Sequence, residues 1–263
     1  MSVTPSGWSM HRSGDPGASP VLLIHSIATS SRIWLPQVGA WSRHLLCLCV
    51  DLPGHGETAE DAGINSLDDY ADALMAQIKY PSVSIVGLSL GGMIAQACAL
   101  KYPERVASVV IADSVSHTPP AAAQMWASRL NQALAEGMSS QAEGTLARWF
   151  TASFRAENPL TVAWIRSLIE NTRLGGYRSA VSAIEKLDYL DRLADIRCPA
   201  LVVTGSEDPV ATPALANAIA SRIIGARAII LSGAAHLSNI EQPLRFTETV
   251  GKFLCDIHGG THV

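Results

Sequence analysis

The chain has 263 residues, of which 48% are hydrophobic and 16% charged, and its formal net charge is −4. This length suits one large domain, or a core domain with an insertion, and the apolar content is sufficient for a sizeable core. The lack of a long basic run argues against nucleic acid or an anionic membrane surface as a partner. The longest apolar stretches are too short to span a bilayer.

The cysteines and the N-terminal residues indicate the compartment. The first 17 residues lack the apolar stretch of a signal peptide. Five cysteines, an odd number, lie in or beside apolar stretches. We therefore expect reduced core cysteines in a cytoplasmic protein. Cys47 and Cys49 would share one face of a strand, but no second pair with ligand spacing accompanies them. We therefore expect no metal site.

Short apolar runs alternate with helical patterns along most of the chain. The predicted strands lie within residues 20–26, 45–56, 83–89, 106–114, 199–208 and 226–236. The predicted helices lie within residues 66–78, 90–102, 212–223 and 242–257. The first helix has Ser66 as its expected N-cap, with acidic residues in its first turn.

This alternation predicts the fold class and its division. Apolar strands separated by helices are typical of a parallel sheet covered on both faces, so we predict an α/β protein with a doubly wound, mostly parallel sheet. Residues 117–186 interrupt the pattern with helices alone. We predict a core of residues 1–116 and 187–263, with residues 117–186 as a helical lid over the carboxyl ends of the strands. A helical layer that serves stability alone is the alternative.

The stretch Gly87-Leu88-Ser89-Leu90-Gly91 has the pattern G-x-S-x-G between a predicted strand and a predicted helix. This context is typical of a nucleophile elbow, in which small neighbours allow a strained turn that exposes the serine hydroxyl. A serine hydroxyl needs a base, and the base needs an orienting acid. Ser89 is therefore a candidate nucleophile if a histidine and an acid follow.

Both partners follow later predicted strands. Asp208 comes after the strand within 199–208, and His236 after the next one. The order Ser89, Asp208, His236 is the one expected for α/β-hydrolases. Glu207 is the rival for the acid, and we favour Asp208 from its position in the loop. The backbone N–H groups of Ile27 and Leu90 are the expected oxyanion donors, each worth about 3–4 kcal/mol in the transition state.

The chain resembles the 3-oxoadipate enol-lactonase group of the α/β-hydrolases over nearly its whole length. The resemblance rests on the segments HSIATSSRIWLPQV, DLPGHGET, GLSLGGMIAQACALKYPERV, EGMSSQAEGTLARWFTASF, GGYRSAVSAI and AAHLSNIEQPLRFTETV. It implies a serine triad of Ser89, Asp208 and His236 that opens an enol-lactone ring without a metal or organic cofactor. Arg129 or Arg148 would serve a substrate carboxylate, or would be solvated surface residues.

We therefore expect a serine hydrolase that cleaves a small-molecule lactone or carboxylic ester through an acyl-enzyme. Trp126 and Trp149 are candidates for the wall of the substrate pocket, or core residues of the lid. A hydrolase of amides or C–C bonds with the same fold is an alternative, as is a small-molecule receptor without turnover. The expected partner is the substrate, and a homo-oligomer is left open.

Overall fold

The computed structural model describes residues 7–259, so residues 1–6 and 260–263 of the predicted core lie outside the described residues. The strands of its sheet are β1 (Met10–Ser13), β2 (Pro20–Ile24), β3 (Leu46–Val50), β4 (Val83–Leu88), β5 (Val106–Ala112), β6 (Ala200–Gly205) and β7 (Arg227–Leu231). The strand order across the sheet is β1-β3-β2-β4-β5-β6-β7.

Strand direction and burial establish the architecture of this sheet. All neighbouring strands run parallel except β1 and β3, which are antiparallel. Every residue of β3, β4 and β6 is buried. Because successive residues of a strand point to opposite faces, both faces of the sheet must be covered. The predicted doubly wound, mostly parallel sheet is confirmed.

Strand β1 was missed by the sequence analysis. It has four residues, MHRS, and the middle two are exposed. It pairs on one side only, at the edge of the sheet beside β3. A half-exposed edge strand of this length has neither an apolar run nor a long enough alternation to be recognised in the sequence.

The helices lie between the strands and at the end of the chain. They are α1 (Leu35–Trp41), α2 (Leu67–Gln77), α3 (Leu90–Lys101), α4 (Pro120–Glu136), α5 (Ala142–Trp149), α6 (Ala152–Glu157), α7 (Pro159–Glu170), α8 (Leu174–Glu185), α9 (Pro213–Arg222), α10 (Ser238–Glu241) and α11 (Pro243–His258). The predicted N-cap of α2 is confirmed, because the Ser66 side chain accepts a hydrogen bond from the N–H of Asp69.

Helices α4 to α8, residues 120–185, form a continuous helical segment between β5 and β6. The two ends of the segment meet at its base. His117 and Asp188 form an antiparallel bridge, and the N–H of Thr118 donates to the carbonyl of Leu187 at 2.9 Å. A segment inserted between two strands of a sheet has to leave the sheet and return to it at nearly the same place, as this segment does. The division into core and lid stays a prediction.

Two further sequence-based expectations concern the cysteines and the membrane. All five cysteines are buried, and none of them forms a disulfide. Among residues 7–259, no helix combines the length and the apolar character needed to cross a bilayer. The cytoplasmic location stays a prediction.

The sheet brings distant parts of the chain together at one edge. The carboxyl ends of parallel strands point the same way, and open α/β sheets bind their ligands outside that edge. Ser89 follows β4, Asp113 follows β5, Asp208 lies in the loop after β6, and His236 lies in the loop after β7. The candidate site is therefore at this edge.

Candidate active site

Ser89 lies on a sharp turn between β4 and α3. Its backbone has φ 55° and ψ −113°, a left-handed conformation that non-glycine residues rarely adopt. The flanking glycines make this turn sterically feasible. A Cβ at Gly87 would collide with the backbone of Gly91, and a Cβ at Gly91 would collide with the carbonyl of Ile24. The strained turn matches the geometry that the G-x-S-x-G pattern predicts.

Three side chains from separate loops form a continuous hydrogen-bonded chain. His236 Nε2 lies 2.9 Å from Ser89 Oγ, and His236 Nδ1 lies 2.8 Å from Asp208 Oδ2. An ionised carboxylate only accepts hydrogen bonds, so Nδ1 carries the hydrogen and Nε2 is free to accept from the serine hydroxyl. Glu207, the rival for the acid, has an exposed side chain. The structure thus brings Ser89, Asp208 and His236 together and leaves Glu207 outside.

The electrostatics of the pair suit a histidine that works as a base. Burial raises the pKa of Asp208, but the His236 charge and hydrogen bonds from His236, Val210 and Ala211 outweigh it and lower the pKa. Burial lowers the pKa of His236, but the charge and hydrogen bond of Asp208 outweigh it and raise the pKa. A raised pKa makes His236 a better proton acceptor.

Ile27 and Leu90, the expected oxyanion donors, lie on adjoining segments. Ile27 follows β2 and lines the cavity that contains Ser89, and Leu90 is the first residue of α3. The start of α3 lies directly against the end of β2, because a Cβ at Gly91 would overlap the Ile24 carbonyl. N–H groups in the first turn of a helix have no partner within the helix. The Leu90 N–H is one of these groups.

A cavity of about 470 Å³ lies between the edge of the sheet and the helical segment. Ser89 and His236 line its floor, and residues of α4 and α5 line the opposite side. This volume is in the range of small-molecule sites. Trp126 on α4 and Trp149 on α5 both contribute to the wall, and Trp149 is buried whereas Trp126 is half-buried.

Arg129 and Arg148 also line this cavity. The Arg129 guanidinium stacks on Trp126, 4.8 Å from the ring centroid, and both arginines contact Thr145 Oγ1. Burial lowers the pKa of both, and the Arg129 charge contributes to lowering the pKa of Arg148 to about 10. Within residues 7–259, neither arginine forms a salt bridge with an acid.

Asp113 is a neighbour of the site that the sequence analysis did not single out. It is completely buried, and its carboxylate accepts hydrogen bonds from Gly205 and Ser238. A signal for it existed, because Asp113 follows an apolar strand directly. Among the described residues 7–259, no three His, Cys, Asp or Glu side chains cluster in a way that could hold a metal ion.

Comparisons with known proteins place the chain among hydrolases of this fold. The family model described as "Alpha/beta hydrolase family" matches residues 21–249. The crystal structure of the enol-lactonase from Burkholderia xenovorans has a TM-score of 0.88 and 34% identity, with 94% of this chain and 95% of that chain covered. The 3-oxoadipate enol-lactonase 2 of Acinetobacter baylyi is 28% identical, over 90% of this chain and 89% of the relative.

A second relative from Acinetobacter baylyi is named (E)-2-((N-methylformamido)methylene)succinate hydrolase. It is 28% identical, over 89% of this chain and 90% of its own length. These comparisons confirm the resemblance to enol-lactonases that the sequence motifs indicated. The chain belongs to the alpha/beta hydrolase family and is a hydrolase.

Proposed function

We propose that the protein is a serine hydrolase that opens small lactones or cleaves small carboxylic esters through an acyl-enzyme. The observation that carries this proposal is the chain of contacts from Ser89 through His236 to Asp208 at the floor of the cavity. A nucleophile, its base and an orienting acid within hydrogen-bonding distance are the elements that acyl transfer needs.

The acylation step follows from these positions. Ser89 Oγ attacks the substrate carbonyl carbon while His236 Nε2 takes the hydroxyl proton. The oxygen of the tetrahedral intermediate becomes negative and is stabilised by the N–H groups of Ile27 and Leu90. When the intermediate collapses, the bond to the leaving oxygen breaks and His236 returns the proton to that oxygen. Asp208 holds the histidine tautomer and stabilises the imidazolium.

Deacylation uses the same residues with water as the nucleophile. His236 removes a proton from water, the hydroxide attacks the acyl carbon, and Ser89 leaves with the proton from His236. An ester releases its alcohol before this step. In a lactone the alcohol belongs to the same molecule, so it stays attached to the acyl group until water releases the hydroxy acid.

The position of Arg129 and Arg148 in the cavity favours a substrate that carries a carboxylate in addition to the reacting carbonyl. Two partly buried cations without an acidic partner among the described residues are costly, and a bound carboxylate would offset that cost. Both line the cavity that contains Ser89, so one small molecule can contact the arginines and the nucleophile together. The Burkholderia and Acinetobacter enol-lactonases named above support a lactone as the reacting group.

An amide is the second candidate for the cleaved bond. The Acinetobacter hydrolase named above acts on a substrate whose name contains a formamido group. Amides and esters pass through the same kind of tetrahedral intermediate, so the same three residues serve both. The receptor alternative has no support from the relatives named above, which are named as lactonases and hydrolases.

The test compares turnover of a small activated ester and an unsaturated lactone by the wild type, Ser89→Ala and Ser108→Ala. Ser108 is buried in β5 and pairs with Ser84, so its loss removes a buried hydroxyl that the mechanism does not use. Removing the nucleophile of a comparable triad costs about 10⁶-fold in kcat. We expect that order of loss in Ser89→Ala and normal turnover in Ser108→Ala. Normal turnover in a folded Ser89→Ala variant would refute the proposal.

A further inference from the structure

Asp113 occupies an unusual position at the centre of the sheet edge. It directly follows β5 and is completely buried. Its φ of 44° is left-handed, which is rare for a residue with a side chain. Its N–H donates to the carbonyl of Val203 at 2.8 Å, so the backbone is anchored to β6 in this conformation. The reaction steps above give this buried carboxyl group no role.

The Asp113 carboxylate joins the two loops that carry Asp208 and His236. Its Oδ1 accepts a hydrogen bond from the N–H of Gly205 at 3.1 Å, where the loop leading to Asp208 begins. Its Oδ2 accepts from the N–H of Ser238 at 3.1 Å and from Ser238 Oγ at 2.6 Å, just after His236. One rigid group therefore holds both loops.

The residues on either side of Asp113 hold the nucleophile. The carbonyl of Ala112 accepts a hydrogen bond from the N–H of Ser89 at 2.8 Å. The hydroxyl of Ser114 donates to the carbonyl of Ser89 at 2.7 Å. Residues 112–114 thus contact the segments that carry all three members of the Ser89–His236–Asp208 chain.

We propose that Asp113 is a positioning residue that keeps His236 aligned with Ser89 and Asp208 by tying their loops to the end of β5. The inference rests on the proposed function of those three residues and goes beyond it, because Asp113 acts through them. Alignment matters since a displacement of about 1 Å in an active site can cost about 10²-fold in rate.

Asp113 and His236 also influence each other's pKa. Burial and the Asp208 charge raise the pKa of Asp113 to about 8, although the His236 charge and the hydrogen bonds from Ser238 act in the opposite direction. Burial and the positive charge of Arg148 lower the pKa of His236, but the charge and hydrogen bond of Asp208, with a smaller contribution from the Asp113 charge, outweigh them and raise it. With its pKa raised to about 8, Asp113 is mostly neutral around pH 7, so its effect on His236 there comes from position and not from charge.

The main test is Asp113→Asn. An amide offers one acceptor and one donor, so either Gly205 or Ser238 loses its acceptor and meets an N–H group instead. We expect kcat per active site to fall by up to about 100-fold, with KM little changed, since alignment and not binding is lost. The acid limb of the kcat/KM profile should stay in place, because Asp113 of the wild type is already mostly neutral below pH 8. Active sites are counted by labelling with a fluorophosphonate, so that misfolded protein does not enter the rate.

Ser108→Ala is the matched control for this variant. Ser108 lies on β5 like Asp113, is completely buried, and its Oγ lies 2.7 Å from that of Ser84. Removal of a buried hydrogen bond from the same strand, away from the catalytic edge, should leave kcat and the pH profile unchanged. Turnover by Ser89→Ala reports on the proposed function separately, whereas the comparison of Asp113→Asn with Ser108→Ala reports on Asp113 alone.

Ser238→Ala is a second variant that leaves the Asp113 side chain and the Ser238 N–H in place. It should lower kcat less than Asp113→Asn, and the double variant should be no slower than Asp113→Asn because both act on one contact. If Asp113→Asn does not fold, Ser238→Ala provides the test, and a fall in kcat at constant KM in that variant supports the proposal. Unchanged kcat in these variants, or a loss of kcat/KM that comes from KM alone, would overturn the proposal.

Discussion

The carboxyl edge of the sheet and the helical segment form opposite sides of one cavity, and they position their side chains by different means. At the edge, Ser89 and Asp208 are buried and fixed by backbone hydrogen bonds. In the segment, Arg129 and Trp126 reach the cavity from the surface of α4 and are only half-buried. The difference supports our proposal that the sheet edge carries out the chemistry, and it leads us to propose that the helical segment selects the substrate.

The largest effect should come from the sheet edge, with Asp208→Asn. The asparagine favours the wrong tautomer of His236, and the equivalent change in a comparable triad costs about 10⁴-fold in kcat. Glu207→Gln is the matched control, because Glu207 is adjacent and its side chain is exposed. The measurement is kcat on an activated ester for both variants. A greater loss in Glu207→Gln would show that the acid is misassigned.

The next largest effect should come from arginine substitutions in the helical segment, and it should appear only with charged substrates. Arg129→Gln and Arg148→Gln should each lower kcat/KM for a half ester of a dicarboxylic acid by about 10- to 100-fold, since a hydrogen bond to a charged group contributes about 1.5–3 kcal/mol. Uncharged diesters of the same length should be cleaved nearly as before.

Arg166→Gln is the control for the arginine variants. Arg166 lies on α7 in the same helical segment and pairs with Glu143 instead of lining the cavity. Its loss should leave the preference for half esters intact. Equal losses for half esters and diesters in the Arg129 and Arg148 variants would mean that these arginines hold the segment together and do not bind a carboxylate.

The tryptophans should have a smaller and graded effect. Trp126→Ala and Trp149→Ala widen the cavity, so kcat/KM should change unequally along a series of esters with increasing acyl length. Activity on the smallest activated ester should survive best. Trp164→Ala is the control, because Trp164 belongs to the same segment and also packs on the core but is not among the residues that line the cavity. A uniform loss along the series would mean that neither tryptophan selects among substrates of different acyl length.

The smallest effect is a shift in pH dependence. Asp208 raises the pKa of His236, and only the neutral histidine accepts the Ser89 proton. Activity should therefore fall as the pH falls through a value above 6.5, the ordinary pKa of histidine. In Asp208→Asn the acid limb should move to lower pH. The measurement is kcat/KM against pH for both proteins. If the acid limb stays in place in Asp208→Asn, protonation of His236 is not what causes the fall in activity at low pH.

The residues that meet at the carboxyl edge of the sheet could be predicted from the sequence more completely than the residues that line the cavity wall. Ser89, Asp208 and His236 each follow an apolar strand, and parallel strands bring such positions together. The partners of Asp113 could not be predicted, because Ser238 lies 125 residues away and the contact depends on the register of the strands. Whether Arg129 and Arg148 meet in the cavity depends on how α4 and α5 pack, which no local pattern encodes.

The proposed mechanism is tested by identifying the residue that carries the acyl group. The enzyme is mixed with an activated ester, quenched in acid within a single turnover, digested and examined by mass spectrometry. We expect the mass of one acyl group on the peptide that contains Ser89, and none in Ser89→Ala. An acyl group on another residue, or full turnover without any acylated peptide, would contradict the proposed mechanism.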